Sequence, residues 1–339
     1  MAKAKTTHGN LPHRLAANAN LCFQGPEFIE SGFFIGDRTH KSLLAETKKS
    51  YEVLSAVCDS EWWNETPETI LRRWIIDFQD WPLERAEKYF RSLRILEKHV
   101  KPARLSSSRE RDRRYWWQIA ERRPALHDRA SGLRRVIVIP KASHTPVFLF
   151  AGQGFFFYDV AVICDESFGR LAVLQSAFHE AWIRAFGCAA SASARYTPEQ
   201  CFETFPFCPD ESQSREMGQA FNERRNAIIN SQREGVNSTY SRIHDPKESS
   251  PNIQALRDNH VILDRLVASE YGWGDLDLAH DFHKTPQGVR YAISESARHE
   301  VLSRLLKLNH KRFAREVEQG LHNKKKAKST KATTGKKRK

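Results

Sequence analysis

Two short stretches and a scatter of cysteines hold residue types that do chemistry, and in each the spacing is wrong for it. His179-Glu180 in FHEAWIRAF lacks the second histidine four residues on that a zinc-protease helix needs, so it reads as a packed, hydrogen-bonded histidine. FAGQGFF (150–156) has the glycines of a phosphate-cradling turn. Strand-like runs flank it on both sides and no helix opens after it, so it reads as a hairpin turn at Gly152 and Gly154. The six cysteines, at 22, 58, 164, 188, 201 and 208, include no pair at the two-residue spacing of a zinc site. They read as free, mostly buried thiols of a reducing cytoplasm. No Walker lysine loop and no two-carboxylate-plus-lysine nuclease pattern occurs, and no Pro-Pro is present for the Asn/Asp-Pro-Pro-aromatic tetrapeptide that methylates exocyclic base amines. The chain therefore gives no catalytic, metal-binding or cofactor-binding residue.

What remains is charge and aromatic surface. The 339 residues carry a net charge of +13, but 323–339 (NKKKAKSTKATTGKKRK) hold nine Lys/Arg and no acid, which leaves the rest only about +4. A lysine tail of this kind is expected to be disordered and to add salt-sensitive, sequence-blind affinity for phosphates. Residues 104–135 hold ten arginines and no lysine around Tyr115, Trp116 and Trp117, partly offset by Glu110, Asp112, Glu121 and Asp128. That composition suits a solvated helix face or a surface that grips phosphates. No apolar run reaches bilayer length and no apolar stretch follows the basic start, which points to a cytoplasmic protein without a membrane partner.

Several elements must position these residues. WIIDF (74–78) predicts a strand, and apolar positions 83, 86, 90, 93 and 96 predict a helix ended by Pro102. VIVIP (136–140), VFLFA (147–151) and FFFYDVAVI (155–163) predict three mostly antiparallel strands of one buried sheet, with a helix over 171–186 packed on it. Helices are expected over 212–246, 251–273 and 294–320, the last with Ser294 as N-cap and Gly320 as stop. The fold class is thus α+β: a small, mostly antiparallel sheet with packed helices, followed by an all-α C-terminal domain. Between the two lies RYTPEQCFETFPF (195–207), whose prolines exclude helix and central strand, so an irregular aromatic-anchored connector is expected.

YWWQIAERRPALHDRASGLRRVIV (115–138), AVLQSAFHEAW (172–182), RYTPEQCFETFPF (195–207), YSRIHDP (240–246), YGW (271–273), GVRYAISESAR (288–298) and LLKLNHKRFAREV (305–317) occur in this order. Together they resemble the C-terminal half of the MmeI-like (type IIL) restriction-modification enzymes and related adenine-specific DNA methyltransferases. WIIDFQDWPLERAE (74–87) resembles the stretch leading into that half, and HRLAANAN (13–20) the segment soon after the family's methyltransferase domain. Residues 37–70 match loosely, and the lysine-rich tail is not part of the pattern.

The resemblance implies a poorly defined N-terminal segment (1–70), a target recognition domain (71–208), a helical C-terminal domain (209–322) and the tail (323–339). It implies sequence-specific recognition of double-stranded DNA for an N6-adenine methyltransferase. S-adenosylmethionine and the catalytic tetrapeptide would belong to a preceding or separately encoded methyltransferase subunit. The alternatives are a non-specific binder driven by the tail, and a remnant of a split gene. An enzyme acting on a duplex base must first locate its site through major-groove donor and acceptor patterns. In PKASHTP (140–146), Lys141, Ser143, His144 and Thr145 are the expected base-edge contacts, and Gln153 suits bidentate reading of adenine. Arg113, Arg114, Arg134, Arg135 and Arg195 are the expected phosphate contacts.

Overall fold

The computed structural model describes residues 11–64, 73–189 and 194–322. The lysine-rich tail, and the expectation that it is disordered, lie outside the described residues. The strands are, in chain order, β1 (Cys22–Gln24), β2 (Phe34–Ile35), β3 (Leu54–Cys58), β4 (Trp74–Ile76), β5 (Arg135–Pro140), β6 (Ala142–Ser143), β7 (Leu149–Gly152), β8 (Phe155–Phe157), β9 (Val160–Ile163), β10 (Cys188–Ala189), β11 (Ala194–Arg195), β12 (Asp281–Thr285) and β13 (Gly288–Ala292). They form an antiparallel sheet β1-β9-β5-β7, a mixed sheet β2-β4-β3-β8, a small sheet β10-β11-β6 and the hairpin β12-β13. The architecture is α+β with helices dominating after residue 211.

The apolar runs of β5 and β9 follow from burial on both faces. Ile137, Ile139, Ala161 and Ile163 point into the large core shared with the C-terminal helices. Val136, Val138, Val160 and Val162 alternate into a thin layer with Cys58, Leu126 and Phe157. A third core under the mixed sheet gathers Phe78, Trp81, Trp116, Trp117 and Leu96.

The structure departs from the predicted elements where a distant partner takes over. FFFYDVAVI is two strands in two sheets: β8 runs parallel to β3, and β9 runs antiparallel to β5. The switch occurs at Tyr158–Asp159, where Tyr158 N donates to Cys58 O and Asp159 N to Pro26 O, at 2.9 and 3.0 Å, with Asp159 at φ +54°. For the same reason Gly152–Gly154 turns the chain from one sheet to the other and is not a hairpin, since β7 pairs with β5 and β8 with β3. Residues 11–64 are woven into the following unit: β1 pairs with β9, and β3 with β8.

Helices break likewise. The predicted helix of 171–186 is Phe168–Gln175 and Ala177–Phe186, broken at Ser176, whose ψ is 157°. Pro102 does not end the helix Phe90–His99; it occupies the first turn of the next, Lys101–Leu105, where its missing N–H costs nothing. The helix from Ser212 stops at Gln232, with Arg233 left-handed, and resumes at Val236. At Gly235 a Cβ would lie 1.9 Å from Asn64 O, so only glycine fits there. Helices Pro251–Glu270 and Glu295–Glu318 form as predicted, and Ser294 accepts from Ala297 N at 3.1 Å. Between them β12-β13 adds a hairpin that the all-helical expectation did not include.

The connector 195–207 is a fixed hub. Phe202, Phe205 and Phe207 are buried, and Phe205 lies 4.5 Å from the His179 ring and 5.8 Å from Trp182. Its carbonyls are held from outside: Asn18 Nδ2 donates to Phe205 O (2.7 Å), Asn309 Nδ2 to Thr204 O (2.6 Å), Tyr271 OH to Pro206 O (3.0 Å) and Arg312 Nη1 to Phe207 O (2.6 Å). Pro198–Phe202 forms a helical turn despite the proline at its start, and the carbonyls of 204–207 beyond it are satisfied by side chains from three distant elements, Asn309 and Arg312 both lying on the helix Glu295–Glu318. Cys22, Cys58, Cys164 and Cys208 are buried free thiols, and Cys201 is buried with Sγ 3.8 Å from Arg195 O.

Candidate nucleic-acid interface

The β-ladder of the small sheet brings five of the expected contact residues to one place. Ala142 pairs with Arg195 and Ser143 with Ala194, so the 141–145 loop and Arg195 share one edge. Within it the polar groups are not equally available. Ser143 Oγ donates to Thr145 O (2.6 Å) and accepts from Thr145 N (3.2 Å), closing the loop on itself. Arg184 donates to His144 O (3.3 Å) and Arg290 to Thr145 Oγ1 (2.6 Å), which ties the loop to the helix beneath and to β13. The His144 side chain is exposed.

Lys141 is only 8% exposed, and its ammonium pairs with the Glu27 carboxylate. That is a correction in placement: Lys141 is held inside the sheet edge rather than presented from a loop. Arg195 lies 3.9 Å from the same carboxylate and keeps about half of its side chain in solvent. The two cations border a cleft of about 580 Å³ together with Arg123, Gln24, Glu27 and Glu199. Arg123 takes a left-handed φ of +58° immediately before Pro124, which excludes the α region for it. Burial raises the nearby Asp159 carboxyl, while Lys141 and Arg195 pull it down.

A second group gathers at the Gly152–Gly154 turn. Gln153 Nε2 donates to Leu133 O, which engages the amide expected to read adenine. Beside it a cleft of about 360 Å³ is lined by Arg122, Asp77, His127 and Arg135. Arg122 Nε holds Asp77 at 2.8 Å, and burial, helped by Arg122, lowers the His127 pKa. Arg135 donates twice to Glu166 O (3.1 and 2.8 Å) and stacks 3.7 Å over Phe150 and 4.1 Å over Phe168, so it is a packing residue. Arg134 is open, its side chain 87% exposed and 3.6 Å from Glu166. Arg113 and Arg114, on the helix Glu110–Arg114, are exposed; Arg113 donates to Ser107 O (2.6 Å) and Arg114 lies 5.5 Å from the Tyr115 ring.

Sequence reading missed Glu27 and Arg123. Arg123 had a signal, a bulky residue before proline at a helix start. Glu27 had none, because its partner Lys141 is joined to it only through the strand order. Among the described residues no three side chains are placed to hold a metal ion, and no helix is long and apolar enough to cross a membrane.

The family model described as the MmeI target recognition domain matches residues 17–209. No curated protein matches the chain. A solved structure of the type IIL restriction-modification enzyme MmeI in complex with DNA matches with a TM-score of 0.63 at 15% identity. The match covers 90% of this chain and 37% of that one, so the chain spans well under half of the enzyme's length, and at this identity the likeness is one of fold.

Proposed function

The chain belongs to the family of MmeI target recognition domains, and we propose that it reads a DNA sequence for a restriction-modification system. In finer terms, it would select the site for N6-adenine methylation of double-stranded DNA. S-adenosylmethionine and the methyl-transfer residues would lie in a methyltransferase domain or subunit that works with it. The observation that carries the reading is the family match over 17–209, which takes in the small sheet, both clefts and the aromatic hub.

The geometry supports a reader at that sheet. A rigid scaffold holds Ser143, His144, Thr145 and Arg195 on one edge, and Arg195 and His144 are the exposed members. An arginine there suits the O6 and N7 of guanine, or a phosphate. Selection from a randomised duplex pool with the full chain at near-physiological salt tests this. Enrichment of a motif of several base pairs is expected; a cooperatively folded chain that enriches none overturns the reading. Calorimetry with S-adenosylmethionine should show no binding by the chain alone.

The nine cations of 323–339 favour one further reading, a sequence-blind binder. It predicts that affinity and its salt dependence collapse together when the tail is removed.

A further inference from the structure

The helix Phe90–His99 buries Ser92, Leu93 and Leu96 and leaves Arg91, Arg94 and Lys98 on its outer face, at i, i+3 and i+7. Across from it lies the helix Asp37–Glu46. Between them is a groove of about 820 Å³, lined among others by Thr39, Ser42, Phe90, Arg94, Lys98 and His99.

Three features set this groove apart from the rest of the charged surface. Its acid is neutralised, since Glu97 accepts from Lys101 at 3.2 Å, and the neighbouring Asp37 pairs with Lys41 at 2.6 Å. Two of its cations are presented to solvent: Arg94 has the Phe90 ring 5.2 Å away, and Lys98 stands in the last turn. Phe90 itself is 60% exposed, an aromatic ring held among cations. Thr39 and Ser42 line the same groove and add hydroxyls to its cations, which is the donor mixture that fits phosphate oxygens.

We propose that this groove binds the phosphodiester backbone of the duplex outside the sequence being read. The occupant is a polyanion because the groove offers cations, hydroxyl donors and a ring, with its carboxylate already paired. A phosphate contact of this kind carries no base information; it fixes register and adds salt-dependent affinity. The inference rests on the DNA-reading proposal above, but depends on a different surface from the small sheet.

The test compares the full chain with an Arg94→Gln/Lys98→Gln double variant and with a charge-matched Lys247→Gln/Arg265→Gln control on exposed helical-domain positions. Binding to a selected duplex and to a scrambled duplex is measured across a salt series, with thermal unfolding as a check on folding. The groove double variant should lose close to two units of the log-log salt slope, about 0.9 per phosphate contact. It should weaken both duplexes alike, about tenfold, and leave the selected motif unchanged. A slope equal to that of wild type or of the control overturns the groove. A wild-type chain that enriches no motif but shows the slope difference sinks the sequence-reading proposal and supports the groove, whereas absence of any duplex binding sinks both.

Discussion

Residues 85–101 and 104–135 are neighbouring cation-rich stretches that the fold uses in opposite ways. In the second, Arg104 is buried between Glu30 and Asp112, Arg122 holds Asp77, Arg111 donates to Ala120 O, and Arg135 lies across two phenylalanines and a carbonyl. In the first, Arg94 and Lys98 stand on the outer face of a helix anchored by its opposite side. The richer stretch therefore commits several of its arginines to structure, although Arg109, Arg113, Arg114, Arg129 and Arg134 stay exposed. Arginine's planar fork and apolar stem let it bridge carboxylates, carbonyls and rings, so arginine beside aromatics and acids is drawn into structure. Lysine and arginine on one exposed helical stripe are not.

The same division between inside and outside governs histidine, and there it produces the largest expected effect. His179, His244 and His260 are held neutral by burial, with pKa values pushed down from 6.5 to about 3, about 3 and about 4. Above pH 6.5 all three are neutral in the folded and unfolded chain. Below it the unfolded chain takes up protons that the folded chain refuses, so stability falls as pH drops from 6.5 toward 4. The slope approaches about 1.4 kcal/mol per pH unit for each histidine. Urea unfolding at intervals from pH 7.5 to 4 reads this directly, and a flat profile would mean that these histidines are charged in the folded state.

Next in size is Arg104, 3% exposed. Arg104→Ala strands Glu30 and the buried Asp112, and should cost about 3–5 kcal/mol. Its salt slope for duplex binding should stay at the wild-type value. A drop in slope with little loss of stability would place Arg104 among the open cations and undo the contrast.

Arg135→Ala removes two charged hydrogen bonds to Glu166 O and the contacts with Phe150 and Phe168, and should cost about 2 kcal/mol. Arg134→Ala, one residue earlier and open, should fall within about 0.5 kcal/mol of wild type by thermal unfolding. Equal losses from the two would show that adjacency in sequence, not packing, sets their roles.

Legibility followed the range of the controlling interaction. β5, β9 and the helices Pro251–Glu270 and Glu295–Glu318 were readable because their apolar periods and caps are local. The sheet switch at Tyr158–Asp159 was not, because Cys58 O and Pro26 O draw those two N–H groups out of a run that looks like one strand. The break before Val236 was hidden in the same way, since Asn64 O approaches Gly235 from far along the chain. Of the candidate site, the 141–145 loop and Arg195 were picked individually for their residue types; their shared edge follows from a ladder over fifty residues of intervening chain. The engagement of Lys141 by Glu27 and of Gln153 by Leu133 O is tertiary and had no sequence signal.

The smallest expected effect is the sharpest discriminator between the two stretches. Arg113 and Arg114 are, with Arg134, the exposed arginines of the second stretch that sequence reading assigned to phosphates, and they are the two that share one helix. Arg113 makes one bond to a local carbonyl, and Arg114 has one ring 5.5 Å away. An Arg113→Gln/Arg114→Gln double variant should therefore unfold within about 0.5 kcal/mol of wild type. Its salt slope should change by less than that of the Arg94→Gln/Lys98→Gln double variant, although the charge removed is the same. Equal charge with unequal slope is what a local phosphate contact produces, whereas a diffuse field from the net charge moves both slopes together. If the 113/114 pair proves the larger, the backbone grip belongs to the arginine-rich stretch, and the open stripe of Phe90–His99 serves solubility alone.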